Sequence, residues 1–442
     1  MSGTAITEIH AWEGLDSRGN PTVGCRVTLS GGAQGRAHVP SGASTGSHEA
    51  HELRDGDPGR YAGRGVRRAV DHVRTELADA ARGLDATDIH TVDAVLEEAD
   101  GTPDLGWLGA NAVLAVSVAA ALAGAAGQGL PLYRALAGEE PVRLPLPMVN
   151  IVSGGAHAAG LIDVQDILVV PLAAESFTEA VRWAADIRQK AVERLTKEGH
   201  NTALVADEGG LAAPLPGNED ALRLVTRAIE DAGLVPGEQV GLAVDFAANT
   251  LAAEGGYTLR REARRFTPDA WIDQLAQWCA RYPVVSLEDP LSEDDWSGWG
   301  AARERLGKGR QLLGDDLFVT DRARLARGID EQCANAVLVK PNQTGTLSRA
   351  ARVVAQARAA GFATVVSARS GESEDHWIAD LAVGWGADQI KVGSTTRSER
   401  TAKWNRLMEI ESDPRIASSY AGAAGLLARR DTAATDAPAH PE

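Results

Sequence analysis

A chain of 442 residues exceeds one ordinary domain and fits a barrel of about 250 residues carrying a second module. Its 44% hydrophobic and 24% charged composition is that of a globular protein with a sizeable core. A net charge of −17 and a pI near 5.1 argue against a nucleic-acid partner, which needs clustered Lys and Arg to displace counterions.

Residues Met1 to Trp12 mix Glu8 and His10 with apolar side chains and lack the basic-then-apolar pattern of a signal peptide. Ile6 to Trp12 and Thr22 to Leu29 alternate as half-buried strands around the turn Asp16-Ser17-Arg18-Gly19-Asn20-Pro21. Gly31-Gly32 turns the chain into a third strand near Gly35 to Val39, followed by the hydroxyl-rich loop Ser41 to Gly46. Helical patterns then run to about Ala137. The most apolar stretch, Ala110 to Ala126, holds Asn111 and Ser117 and is slightly short for a membrane span, so it reads as a buried helix. A cytoplasmic protein with no membrane partner is the expectation. Cys25, Cys279 and Cys333 are far apart without CxxC spacing, which points to buried free thiols rather than disulfides or zinc.

Pro141 to Pro147 reads as the linker to a second domain. Beyond it, short apolar runs alternate with helices, the signature of βα units around a parallel sheet. The strand candidates are Ile167 to Val170, Ala203 to Ala206, Val240 to Val244, Val284 to Leu287, Gln311 to Gly314, Ala336 to Val339, Ala363 to Ser367 and Gln389 to Val392. Among the helices, one opens at Thr267-Pro268 and aligns Trp271, Leu275 and Trp278; another aligns Leu222, Val225 and Ile229 and stops at Gly233. The fold class is therefore α/β: an amino-terminal α+β capping domain over 1–140, a (β/α)8-type barrel over 141–428, and a disordered tail over 429–442.

The later strands end on chemistry. Asp245, Glu288, Asp315 and Lys340 follow four successive apolar runs, and strand ends of a barrel converge on one mouth. Any one acid there could simply cap the next helix. Three together would repel without a cation, and all-oxygen ligands suit magnesium. The chain has only six lysines, so one that ends an enclosed strand beside acids is informative. Enclosure near magnesium and Lys391 is expected to lower the Lys340 pKa and make it a base. A carbon acid beside a carboxylate needs that metal, because its deprotonation adds charge to an anion.

Long motifs carry a resemblance: Asp16 to Val23, Ser41 to Gly46, Leu108-Gly109-Ala110-Asn111-Ala112, Asp207-Glu208-Gly209-Gly210, Glu288-Asp289-Pro290, Gly314 to Thr320, Asn342-Gln343, Arg369-Ser370-Gly371-Glu372 and Arg397-Ser398-Glu399-Arg400. From about Ile6 to Glu411 the chain resembles the enolases (phosphopyruvate hydratases). The base-plus-magnesium arrangement of that superfamily is a known pattern. The resemblance implies a lyase that dehydrates a 2-phosphoglycerate-type acid to an enolpyruvate. Asp245, Glu288 and Asp315 would hold one magnesium, and Ser44 would help hold a second beside the phosphoryl group. Lys340 would abstract the proton and Glu208 would act as acid toward the departing hydroxide. Asp166 would join the catalytic set, Lys391 would meet the substrate carboxylate, Arg369 and Ser370 the phosphoryl oxygens, and His157 and Gln165 would complete the pocket. A homodimer is implied as well.

Several positions depart from the family. It has Glu where this chain has Asp166, His where it has Ala368, Asn at Ser153, Gly at Ala206, and a branched aliphatic residue at Pro341. These surround the substrate rather than the metal. Ala368 removes a donor and opens volume near the phosphoryl end, and Asp166 is one methylene shorter. The chain thus looks like a specialised paralogue that resembles the enolases of phosphonate and phosphinate antibiotic pathways, which form carboxyphosphonoenolpyruvate from phosphonoformylglycerate. The alternatives are a housekeeping enolase acting on 2-phospho-D-glycerate, a non-catalytic enolase-like binding protein, and another acid-base branch such as a racemase.

Overall fold

The computed structural model describes residues 3–43 and 45–426; Ser44 and the tail over 429–442 lie outside the described residues. Strands β1 (Ile6–Leu15), β2 (Pro21–Leu29) and β3 (Gln34–His38) form an antiparallel meander. Its hairpin turns where Gly19 and Gly32 take positive φ. Helices α1 (Ile89–Asp100) and α2 (Ala110–Gly127) follow, with α2 lying on β2 and β3. Small side chains let α2 approach closely: a Cβ on Gly35 would stand 2.1 Å from the Ala119 carbonyl oxygen. Among the described residues α2 is the one helix long and apolar enough to cross a membrane. It is apolar all round because it is buried almost throughout, as a core helix is.

The second unit is a closed eight-stranded barrel. Its strands are β4 (Leu146–Ser153), β5 (Asp166–Pro171), β6 (Val240–Asp245), β7 (Val284–Glu288), β8 (Gln311–Gly314), β9 (Ala336–Val339), β10 (Ala363–Ser367) and β11 (Gln389–Gly393). Helices α3 (Phe177–Lys197), α4 (Asn218–Asp231), α5 (Pro268–Arg281), α6 (Trp296–Leu306), α7 (Arg322–Asp330), α8 (Leu347–Ala359), α9 (Trp377–Gly384) and α10 (Ser398–Ser412) surround it. The interior is filled by side chains such as Leu146, Met148, Leu168, Leu313, Leu338 and Val365, so it is a packed core and not a pore. Thr267 caps α5 by accepting from the Ala270 amide, and Trp271, Leu275 and Trp278 are buried as the spacing predicts. The three cysteines are free and buried.

Three expectations are corrected. The first barrel strand is Leu146–Ser153, which begins at the end of the stretch that reads as a linker and precedes every strand candidate; Pro147 sits near its start, where a missing amide proton is tolerated. Ala203 to Ala206 is no strand: it makes only an isolated bridge from Val205 to Leu211, and Leu204 is 58% exposed, so the run has no face to bury. The sheet is also not wholly parallel. Strand β5 runs antiparallel to both β4 and β6, because residues 154–165 return the chain without the helix that a parallel crossover needs.

Candidate active site

The antiparallel β5 places its first residues, not its last, at the mouth. Asp166 is in register with Ser153 at the end of β4 and with Asp245 at the end of β6, and Asp245 pairs with Glu288 at the end of β7. Asp315 directly follows β8, Lys340 directly follows β9, and Arg369 lies two residues beyond β10. Lys391 sits within β11. A narrow cavity of about 10 Å³, room for about one water molecule, is lined by His157, Gln165, Glu208, Asp245, Lys340, Arg369, Ser370 and Lys391, with Gly42, Ala43, Ser367 and Ala368. A larger open groove of about 440 Å³ beside α2 holds none of the residues named for chemistry, so size alone does not locate the site.

Two ammonium groups knit the acids together. Lys391 Nζ lies 2.8 Å from Asp245 Oδ2 and 2.7 Å from both Glu288 oxygens. Lys340 Nζ lies 2.5 Å from Asp315 Oδ2. Burial lifts the Glu288 carboxyl well above its ordinary range, and the Asp245 charge adds to it while Lys391 opposes. Burial also works against ionisation of Asp315, but Lys340 outweighs it and the carboxyl is lowered. The expected lowering of Lys340 does not occur in this arrangement. Burial pulls its pKa down, yet the surrounding carboxylates, Asp315 first and Glu288 with it, outweigh burial and the net shift is upward.

The loops are fixed from behind. The Asp289 carboxylate accepts the amides of Asp315 at 2.9 Å and Asp316 at 2.7 Å, and Asp289 itself holds a strained φ of 38°. Burial first, and then the Asp315 charge, push Asp316 up to about 7. Pro341 opens a short helix immediately after Lys340, where its missing amide proton is harmless. The Ala206 amide closes the Glu208 turn on the Gly210 carbonyl at 2.8 Å. Gln165 Nε2 reaches Asp245 at 3.4 Å, while its Oε1 is buried without a partner.

His157 forms the other wall. Its Nδ1 is 2.8 Å from Asp166 Oδ2 and its Nε2 is 3.9 Å from Glu208 Oε1. Burial opposes the charge of His157, but Asp166 and Glu208 together raise it to about 9. Burial raises Asp166 in turn; the hydrogen bonds it accepts from His157, Asn150 and Ser153 are those of a carboxylate, so the pair is imidazolium and carboxylate. Burial likewise opposes ionisation of Glu208, and His157 and the nearby cations overcome it, leaving its pKa lowered. Asp166 does not line the cavity and stands behind His157.

Sequence models of known families match both units: "Enolase, N-terminal domain" over residues 6–136 and "Enolase, C-terminal TIM barrel domain" over residues 141–428. The chain belongs to the enolase family. The match supports a magnesium-dependent lyase of the enolase superfamily acting on a small phosphorylated acid, since enolases typically use Mg²⁺. The residues fit such an ion. Asp245, Glu288 and Asp315 are buried oxygen donors at neighbouring strand ends, and each is held by a lysine ammonium, as a set short of positive charge would be. Their oxygens spread around those lysines. The tighter groups of possible ligand atoms among the described residues are His157/Asp166/Glu208, Asp289/Asp315/Asp316 and the half-exposed His48/Glu293/Asp294.

Several residues that hold the cavity lining carry no role in the sequence reading. Arg18 donates to Ser370 Oγ and to the carbonyls of Ser41 and Gly42, tying the hydroxyl-rich loop to the barrel. The Ala43 amide also reaches Ser370 Oγ, at 2.7 Å. Glu49 receives both terminal nitrogens of Arg369, at 3.0 and 3.2 Å. Arg400, fully buried, holds the carbonyls of Arg369, Ser370, Val392 and Asp207. For Arg18, Ala43 and Arg400 the signal was their place inside long recognisable motifs; Glu49 lies outside every such motif and had no signal.

Proposed function

We propose that the chain dehydrates a 2-phosphoglycerate-type acid to an enolpyruvate, and that its substrate is a larger phosphonylated analogue, 2-phosphonoformylglycerate, giving carboxyphosphonoenolpyruvate. The observation that carries this reading is one cavity bringing Lys340 and Glu208 together with Arg369, Ser370 and Lys391, and with the small Ala368 beside the anion-facing pair. A carboxylate added on phosphorus needs cations and room: Arg369 brings the charge, and Ala368 is a small side chain where the family has a histidine.

Asp245, Glu288 and Asp315 would hold one magnesium ion, with Ser44 contributing to a second. Bound there, magnesium supplies positive charge against the second negative charge that develops on the substrate carboxylate. Lys340 takes the proton from the carbon beside that carboxylate. Burial and the Arg369 and Lys391 charges favour its neutral form, so the competent base is a Lys340 released from Asp315. Lys391 then meets the substrate carboxylate, Arg369 and Ser370 meet the phosphorus oxygens, and Gln165 offers its unpartnered Oε1 to a hydroxyl. Glu208 faces the departing hydroxide and must carry a proton to release it as water; the competent acid is a Glu208 that has taken its proton from the neighbouring His157 imidazolium, with Asp166 acting through His157. A cytoplasmic homodimer is part of the same proposal.

Proton NMR of purified protein with Mg²⁺ and either 2-phosphoglycerate or 2-phosphonoformylglycerate tests it. Turnover of the phosphonoformyl acid at least tenfold faster supports the reading. Turnover of 2-phosphoglycerate alone returns the chain to ordinary enolase activity, and magnesium binding without turnover or C2 exchange of either acid makes it a binding protein.

A further inference from the structure

Two of the departures from the family pattern, Ser153 and Asp166, touch each other. Ser153 Oγ donates to Asp166 Oδ1 at 2.7 Å, and Asn150 Nδ2 donates to the same oxygen at 2.5 Å and to Ser153 Oγ at 3.0 Å. All three residues are fully buried. Asp166 Oδ1 is thereby saturated and Oδ2 is left for His157. Ser153 has a second connection: its amide donates to the Leu211 carbonyl at 3.1 Å, where the loop bearing Glu208 crosses the end of β4. That crossing is tight. A Cβ on Gly210 would lie 2.4 Å from Ser153 Oγ and 2.7 Å from Asn150 Oδ1, which gives the second glycine of Asp207-Glu208-Gly209-Gly210 a physical reason.

We propose that Ser153 is a positioning residue which, with Asn150, anchors Asp166 Oδ1 so that Oδ2 turns the His157 ring toward Glu208. A one-methylene-shorter acid cannot both reach into the cavity and orient His157; here it does only the second, and a small hydroxyl at 153 lets it. Hydrogen bonds in such a chain, Asn150 to Ser153 to Asp166, polarise one another in a dry interior. The charged groups facing the ring are Asp166 from β5, Glu208 from the loop between α3 and α4, and Asp245 from β6, with Lys391 of β11 close to both Asp166 and Glu208. The catalytic consequence rests on the dehydration reading, whereas the geometry does not.

The test is a cycle of Ser153→Ala, Asp166→Asn and the double variant in the full chain. The His157 ring is titrated by NMR without substrate, and kcat and KM are measured on whichever of the two acids the wild type turns over. Ser153→Ala keeps the backbone bond to Leu211, and Ser153→Cys serves as a second, near-isosteric variant if the alanine protein does not fold. In either Ser153 variant the His157 midpoint is expected to move by at least half a pH unit, with kcat falling about tenfold and KM changing less than twofold. Asp166→Asn is expected to take the midpoint down by more than one unit, and Ser153→Ala to add nothing in that background. An unchanged midpoint in the Ser153 variants, or losses that multiply in the double variant, would overturn the proposal. If the wild type turns over neither acid, the dehydration reading fails while the titration still decides the network.

Discussion

The two walls of the site are built on different terms. The wall of Asp245, Glu288, Asp315, Lys340 and Lys391 keeps every residue type of the enolase pattern and is held by charge against charge. The other wall, Ser153, His157 and Asp166, with Ala368 added from the end of β10, departs from that pattern at three of these four residues; Ser153, Asp166 and His157 are tied by neutral and charge-assisted hydrogen bonds, while Ala368 sits between the strands that carry Lys340 and Lys391. Under the proposed function, the proton-abstracting residues all lie on the first wall and the departures all lie outside it, and the two sets can be varied one at a time.

The largest effect falls on the charged wall. Asp245→Asn or Asp315→Asn removes a cation donor and leaves a buried lysine without its partner, and activity is expected to drop by at least about 1,000-fold. Wild-type protein gains about 2.7 kcal/mol at magnesium concentrations of about 100 Kd, and these variants lose that gain in a thermal melt. A variant that still shifts with magnesium would break the division.

The substrate wall is next. Ala368→His fills the space beside Arg369 and restores a donor. It is expected to cost about 100-fold on the phosphonoformyl acid and to raise the rate on 2-phosphoglycerate, a change read from kcat/KM for the two acids. Equal losses on both would mean that Ala368 does not select the substrate.

A smaller effect concerns pH. Because His157 is raised from 6.5 to about 9, its charge adds stability that is fully present below pH 6.5 and is lost as pH rises through about 9. His157→Gln should therefore cost at most about 3 kcal/mol near pH 6 relative to wild type, and the gap should close above pH 9 in urea titrations. A gap independent of pH would place the neutral ring in the folded protein.

Outside both walls, Asp93 on α1 caps α8 through the Ser348 amide at 2.8 Å, and burial lifts it to about 6. Ionising it costs stability as pH rises from about 3.8 through 6. Asp93→Asn should therefore stabilise at pH 8 by up to about 3 kcal/mol and leave kcat unchanged. A change in kcat would link the capping domain to the chemistry.

Strand ends made the charged wall legible. Asp245, Glu288, Asp315 and Lys340 each close an apolar run, and a barrel gathers such ends wherever they fall in the chain. The other wall was harder to read. Gln165 precedes its strand and Asp166 opens it, and only the reversed direction of β5 brings them to the mouth. Nothing local marks Ser153 as the partner of Asp166 across two strands, or Glu49 as the partner of Arg369 some 320 residues away. The first barrel strand hid behind its prolines, and Ala203 to Ala206 imitated a strand because four apolar residues carry no direction of burial. The upward shift of Lys340 was also out of reach: the apolar run revealed the enclosure that lowers it, but not the carboxylates around it, Asp315 foremost, that outweigh enclosure.

The central claim is that Lys340 exchanges the proton on the carbon beside the substrate carboxylate, with magnesium present. The direct measurement is deuterium incorporation at C2 of 2-phosphonoformylglycerate or 2-phosphoglycerate in D₂O, followed by proton NMR for wild type and Lys340→Ala. The account predicts magnesium-dependent exchange in the wild type and at least 1,000-fold less in Lys340→Ala. Exchange that survives Lys340→Ala, or wild-type protein that binds magnesium and exchanges neither acid, would contradict it.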